Sequence, residues 1–369
     1  MFFSKRITIP SGSLSSLAWN KFKRNRLGSG SMIFIGFAML VACLGYLITP
    51  DQTPYANSQY LELGLKKPGF RVLMLPVKTN LVQTGNSFIH TMISGKRETM
   101  LNIPVRACAV LGNRVYYIEY GTLAADAAMV KSVQASEAGK PVKKTFLLGT
   151  DRFGRDYLSQ LMIGTRVSLS VGMISVLISL VIGIFVGAVG GYYRGWVDNL
   201  IMWLINVVWS IPTLLLVIAI TFALGKGFWQ VFIAVGLTMW VEVARVVRGQ
   251  ILGVREKEYV EAARALGFSD FRIIFRHILP NVMAAVIVIS AANFASAILM
   301  EAGLSFLGLG VQPPVPSWGS MIKENYGYIV LDYAYLAILP GIAIMVMVLA
   351  FMLMGNALRD ALDVRMSEV

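Results

Sequence analysis

Six apolar runs divide the chain: Leu27–Pro50, Val167–Tyr193, Asn199–Gly225, Gly227–Val241, Ile278–Met300 and Tyr333–Leu358. A helix needs roughly 20 apolar residues to cross a hydrocarbon core of about 30 Å. The fourth run reaches that length only by continuing through Glu242, Arg245 and Arg248, which lie three apart, on one helix face near the interface. The spacing predicts membrane helices over residues 31–50, about 167–190, 200–224, 228–246, 281–301 and 334–356. The expected fold class is therefore an all-α polytopic membrane protein with six transmembrane helices. Residues 1–30 and 359–369 read as tails, 51–160 as a polar insert and 247–280 as a charged loop.

The insert and the loop differ in kind. Over residues 51–160 Lys and Arg outnumber Asp and Glu by 14 to 8, and Ala107 to Gly121 reads as a hairpin turning at Gly112-Asn113. A small, partly β insert is expected there. Residues 255 to 281 form a charged island between apolar runs, mixing Arg255, Lys257, Arg264, Arg272 and Arg276 with Glu256, Glu258, Glu261 and Asp270. They read as two short amphipathic helices. Gly267 suits the left-handed position that ends the first, Ser269 can cap the second, and Pro280 marks a fresh start. Val260, Ala263 and Leu266 share one face of the first helix, and Phe271, Ile274, Phe275 and Ile278 one face of the second. Such a pair is either a loop lying on the bilayer or a docking element for a soluble partner.

Composition agrees with a membrane protein: 56% of positions are hydrophobic and only 14% charged. The net charge of +13 does not point to nucleic acid, because the basic residues are not clustered with aromatics on a polar face. It fits the excess of Lys and Arg on cytoplasmic segments instead. Lys5, Arg6, Lys21, Lys23, Arg24 and Arg26 precede the first span, the island follows the fourth, and Arg359 and Arg365 follow the sixth. The loops at 225–227, with only Lys226, and at 310–332 are nearly free of them. Both termini are thus expected in the cytoplasm. The run after the basic tail is too long for a cleaved leader and lacks a small-x-small site, so it reads as a span.

Little in the chain suggests chemistry of its own. It has no Gly-x-x-x-x-Gly-Lys-Ser/Thr loop, no His-Glu-x-x-His and no paired-cysteine metal site. Cys43 and Cys108 read as packing residues, and His90 and His277 are isolated. No catalytic, cofactor or metal site is expected, which leaves passage, anchoring or signalling. Two features inside the spans are candidates for function. Gly183, Gly187 and Gly191 recur every four residues, either as a close helix contact or as the ordinary glycine content of membrane helices. Glu301 is the one charge between Ile278 and Ile322, either at the outer interface or, with Ser305, on a polar pathway or gate.

Glu261-Ala262-Ala263, Gly267 and Ile278-Leu279-Pro280 closely resemble the "EAA" signature of the membrane subunits of bacterial ABC importers. Further stretches resemble the C-type permease subunit of the dipeptide/oligopeptide branch: Leu148 to Asp156 (Leu-Gly-Thr-Asp-Arg-Phe-Gly-Arg-Asp), Gly191 to Asp198, Ala302 to Gly310, Pro316 to Gly319 and Leu358 to Asp363. The likeness covers about 20–56 and 145–365. It implies the type I ABC importer permease fold and a peptide permease of the inner membrane that works by alternating access. It also implies partners: a second permease subunit in a heterodimer, two ATPase subunits that bind the ATP, and an extracytoplasmic substrate-binding protein. Glu261, Ala262, Ala263, Gly267, Phe271 and Pro280 would then couple the ATPase to the spans. Residues 57 to 144 are extra relative to that family. The cargo stays open among peptides, glutathione, murein peptides and nickel complexes. From other classes, a self-contained channel or secondary transporter, or an anchor for the insert, remain as alternatives. The first would need charge inside the membrane, which is scarce here.

Overall fold

The computed structural model describes residues 14–78, 87–96, 100–121, 130–225 and 227–363. Lys5, Arg6, Lys226 and Arg365, which enter the charge argument, lie outside them. Helix α1 (Leu14–Arg24) leads into α2 (Arg26–Ile48), and the Asn25 side chain caps α2 by accepting from the Gly28 N–H at 3.0 Å. Part of the expected N-terminal tail is therefore helical. Phe22, 2% exposed, packs with Ala357 and Ala361 near the end of the last helix.

The insert follows. Strands β1 (Phe70–Lys78), β2 (Met100–Leu111), β3 (Arg114–Glu119), β4 (Lys131–Gln134) and β5 (Val142–Phe146) form one antiparallel sheet in the order β4-β3-β2-β1-β5. The hairpin turns at Gly112-Asn113, where Leu111 pairs with Arg114 and Gly112 takes φ +60. A short helix, α3 (Phe88–Ser94), lies beside α2. Two small apolar clusters, around Leu63, Met74 and Phe146 and around Leu75, Val105 and Tyr117, hold the sheet together.

The bundle proper runs α4 (Tyr157–Tyr193), α5 (Gly195–Trp209), α6 (Thr213–Leu224), α7 (Phe228–Val254), α8 (Glu258–Ala265), α9 (Asp270–Arg272), a π-helical turn at Ile273–Ile278, α10 (Leu279–Phe306), α11 (Trp318–Asn325) and α12 (Tyr335–Leu362). Among the described residues, five helices are long and apolar enough to span a membrane, with α9 to α10 counted as one unbroken helix. The run expected to be a straight third span is instead the pair α5 and α6, bent by 89°. Pro212 supplies the reason. It lacks an N–H and steers the preceding Ile211 away from helical angles, so the helix ends at Trp209 and restarts at Thr213.

Helices α4 and α7 form the spine. A Cβ on Gly183 would sit 2.5 Å from the Val243 Cβ, one on Gly187 2.5 Å from the Ala244 carbonyl oxygen, and one on Gly191 2.9 Å from the Ile251 Cβ. The glycine stripe therefore lies along the contact of the two helices, where backbones touch because no side chain intervenes. On the other side of α4, α10 and α12 pack with α2 through Ile35, Leu169, Ile298, Met347 and Phe351.

Candidate functional site

The island is built on the free end of this spine. Helix α8 buries Val260 (0% exposed) and Ala263 (4%) against Ile273, Ile274 and Ile278, and the same cluster takes in Tyr192, Val247 and Ile251 of the bundle. The helix ends as expected at Gly267, φ +75. The Gly267 N–H donates to the Arg264 carbonyl at 3.0 Å and the Phe268 N–H to the Ala263 carbonyl at 3.2 Å. That is the Schellman arrangement, and it turns the chain sharply without leaving those carbonyls bare.

Three expectations fail here for physical reasons. Leu266 does not join Val260 and Ala263 but is 72% exposed, because it is the cap residue where the chain leaves the helix. Phe271 and Phe275 do not share the buried face of Ile274 and Ile278; they are 71% and 49% exposed and their rings meet at 4.4 Å, tilted by 35°. The π-helical turn between them widens the helix and rotates its faces. That same turn lets the chain pass through Pro280 without a break. The Leu279 N–H reaches back to the Ile274 carbonyl, and Asn281 Nδ2 donates to the His277 carbonyl at 2.8 Å. Pro280 is thus an early residue of α10 on a continuous helix, not a restart. Ser269 occupies the capping position, although its side chain makes no capping hydrogen bond.

Residues from the Gly191 to Asp198 stretch brace the island, and the sequence did not single them out for this role. The Tyr192 hydroxyl donates to Asp270 Oδ1 at 2.6 Å, and Arg255 Nη1 donates to the Tyr192 carbonyl. Arg194 pairs with Glu256, and Arg248 forks onto both carboxylate oxygens of Asp198 at 2.5 and 2.6 Å. The hydrogen bond and charge of Arg194 hold the Glu256 carboxyl below its usual range, whereas burial, then the neighbouring cations Arg194 and Arg264, push the Arg255 guanidinium down. Only the spacing of aromatic and charged residues just past the second span could have hinted at these contacts.

What the bracing leaves open is a surface. Glu261, Ala262, Arg264, Ala265 and Leu266 are exposed, and a Cβ on Gly267 would meet nothing within 4 Å. Ala262 faces outward while its neighbour Ala263 faces the bundle. The Glu261 side chain makes no hydrogen bond or ion pair with the described residues.

The opposite end is packed around a buried acid. Glu301 is 0% exposed; its carboxylate accepts from Ser305 at 2.7 Å and Ser168 at 3.3 Å, and Ser317 donates to Ser305 at 3.3 Å. Glu301 therefore lies inside the packed body of α4, α10 and the segment before α11, while Ser305 reaches the wall of a cavity of about 590 Å³ beside Lys323 and Tyr326. Next to it, the Leu148 to Asp156 stretch folds into a knot. Asp151 accepts from the Phe153 and Arg155 N–H groups at 2.9 Å each, and Arg155 bridges Asp151 (2.6 Å) and Glu324 (2.7 Å). Burial alone would lower the Arg155 pKa, but the two carboxylates outweigh it and leave it raised. Asp156 caps α4 on the Ser159 N–H at 2.8 Å, and burial pushes its carboxyl up.

A family model described as "Binding-protein-dependent transport system inner membrane component" matches residues 179–368, just over half the chain. The chain belongs to this family. It is thus a multi-pass inner membrane protein, the permease of an ABC importer that works with ATPase and substrate-binding proteins, in a transport family and not an enzyme family. A second model, the N-terminal TM domain of oligopeptide transport permease C, matches residues 13–68. The sheet of the permease falls between the two matched segments.

Among its relatives, the glutathione transport system permease protein GsiD of Pectobacterium atrosepticum is 43% identical over 216 residues, 58% of this chain and 71% of that protein. The dipeptide transport system permease protein DppC of Alkalihalophilus pseudofirmus is 41% identical over 218 residues, 59% of this chain and 71% of that protein. Among solved structures, the inward-facing MetNI methionine ABC transporter overlaps 56% of this permease and 97% of its own chain, at 18% identity and a TM-score of 0.46.

Proposed function

We propose that this permease moves short peptides across the cytoplasmic membrane by alternating access, driven by ATPase subunits that grip the 255–281 island. The observation that carries this reading is the split of the island into a braced half and a bare half. Val260, Ala263 and Ile273 are packed into the bundle, while Glu261, Ala262 and Gly267 stand open beside them. A rigid element with one free face passes a push from a partner to the spans behind it. Glu261 pairs with a basic group of the ATPase, Ala262 allows close approach, Gly267 makes the bend and Phe271 offers an apolar contact. Ala263 and Pro280 hold the element to the bundle.

In this reading the island and both termini face the cytoplasm, and the insert faces the extracytoplasmic binding protein. A second permease subunit completes a heterodimer, and two ATPase subunits bind the ATP. The chain itself binds no cofactor and catalyses no reaction. Glu301 and Ser305 do not line the pathway but pin the segment that closes its outer end. Relatives named for glutathione and for dipeptides support a peptide-like cargo.

The test is Gly267→Arg in the assembled transporter. Uptake falls about tenfold or more, the equivalent of ~1.4 kcal/mol of docking energy, while the melting temperature of the permease falls only slightly, by the roughly 1 kcal/mol that a side chain costs at φ +75. If no ATPase co-purifies with the wild type and Gly267→Arg leaves uptake intact, the coupling role is wrong.

A further inference from the structure

The bend between α5 and α6 joins two features that a lipid-facing surface does not tolerate. The first is broken backbone. Every residue from Trp209 to Leu215 is exposed, and α6 begins at Thr213 after Pro212 in the N-cap position, with no side chain capping its first N–H groups. At membrane depth such backbone persists only where it is covered by protein or lines water. The second is a lone acid. Glu242 lies near the midpoint of α7 (Phe228–Val254), is exposed, and its side chain makes no hydrogen bond or ion pair with the described residues.

The neighbouring arginines do not neutralise it. Arg245 is held over the Trp209 ring, 3.6 Å from its centroid, and Arg248 is committed to Asp198. Glu242 adjoins Val243, which meets Gly183 almost three turns before α4 ends at Tyr193, so it lies within the length of the bundle and not at its tip. An ionised side chain at that depth faces a polar passage or a partner, not hydrocarbon. Glu242 and the bend meet in a cavity of about 80 Å³, lined among others by Trp209, Thr213, Thr238 and Ser296. It admits an ammonium group with some water, not a whole peptide, so the rest of any cargo would lie over the exposed bend.

We infer that Glu242, set against the α5–α6 bend, lines the translocation pathway and takes the free ammonium end of the cargo. The water-facing part stands on geometry alone. The ammonium part rests on the peptide-importer reading above.

Two arms test it, both on the complete transporter in proteoliposomes. In a background with Cys43→Ser and Cys108→Ser, Glu242→Cys is labelled by a charged, membrane-impermeant thiol reagent, and Val181→Cys, a 71% exposed position on α4, is not. No labelling of Glu242→Cys overturns the pathway assignment, whatever the cargo. In the second arm, wild type takes up tri-alanine with a KM about tenfold or more below that of N-acetyl-tri-alanine, as losing one charge-assisted contact would give. Glu242→Gln raises the KM of tri-alanine toward that of the acetylated peptide and closes the tenfold gap. Equal loss for both substrates would assign Glu242 to a contact with the second permease subunit, and retained discrimination would remove it from the cargo site; either result overturns the ammonium role. If wild type takes up neither, peptide cargo fails and the ammonium role falls with it, while the labelling result stands on its own.

Discussion

At the insert end, Arg155 is 8% exposed and held between two carboxylates, whereas at the island end the Glu261 side chain stands exposed with no partner among the described residues. Both stretches are charged, and both carry family motifs. The difference lies in where the counter-charge comes from. The knot at residues 148–156 supplies its own, so it can be sealed inside the molecule and hold the start of α4, the insert and α11 in one arrangement. The island supplies bracing but leaves its outer face unpaired, which fits a surface that something else completes. Charge that is buried is structural when its partners are in the same chain. Charge that is open beside a rigid support is available for transmission.

The contrast is broken most sharply at Arg155. Removing its side chain strands Asp151 and Glu324, and breaking a buried pair by deleting one partner costs about 3–5 kcal/mol. Arg155→Ala should therefore lower the melting temperature of the purified permease by several degrees, far more than Gly267→Arg at the island. Arg155→Lys should recover only part of this, because an ammonium cannot fork between both carboxylates. Equal melting curves for Arg155→Ala and wild type would mean that the knot is not a lock.

A smaller effect separates bracing from docking inside the island. Tyr192→Phe removes the hydroxyl that donates to Asp270 and leaves the ring in its buried place. The loss is about 1 kcal/mol, as for a single hydrogen bond to a partly solvated carboxylate. Global stability should barely move, but ATP consumed per peptide imported should rise, because the island yields before the spans do. An unchanged ratio would show that Tyr192 is not part of the transmission.

How much of this could be read beforehand follows from the range of each contact. Five spans were plain because apolar runs are local, and Gly267 was plain because a helix end needs a left-handed residue. The bend at 210–212 was not, since Ser210-Ile211-Pro212 sits inside an apolar run and one proline does not by itself break a membrane helix. The inward turn of Ile274 and the outward turn of Phe271 depend on a π-helical turn that a regular period does not anticipate. The hairpin at Gly112-Asn113 is local, but the pairing of β1 with β5 spans most of the insert and leaves no local trace. Glu301 stood out as a rare acid, yet its partners Ser168 and Ser317 come from other parts of the chain. The same holds for Arg194 with Glu256, a tether that spacing along the sequence cannot reveal.

That tether gives the mildest prediction. The Arg194–Glu256 pair is 42% and 65% exposed by side chain, so solvent and salt screen it. Arg194 nevertheless holds the Glu256 carboxyl below the ordinary glutamate value of 4.5. A carboxyl depressed in the folded state favours folding at pH values above its unfolded pKa, and that contribution is lost as pH falls through the depressed value. Between pH 8 and 6 the tether should therefore be constant, and below the ordinary glutamate range it should slacken. The measure is hydrogen exchange of the amides at 254–258, corrected for intrinsic rates, in wild type and Glu256→Gln. Wild type should lose protection at acid pH, and Glu256→Gln should be flat and start lower. Loss of protection as pH rises would have the wrong sign for a paired carboxylate, and would leave Tyr192 as the brace that matters.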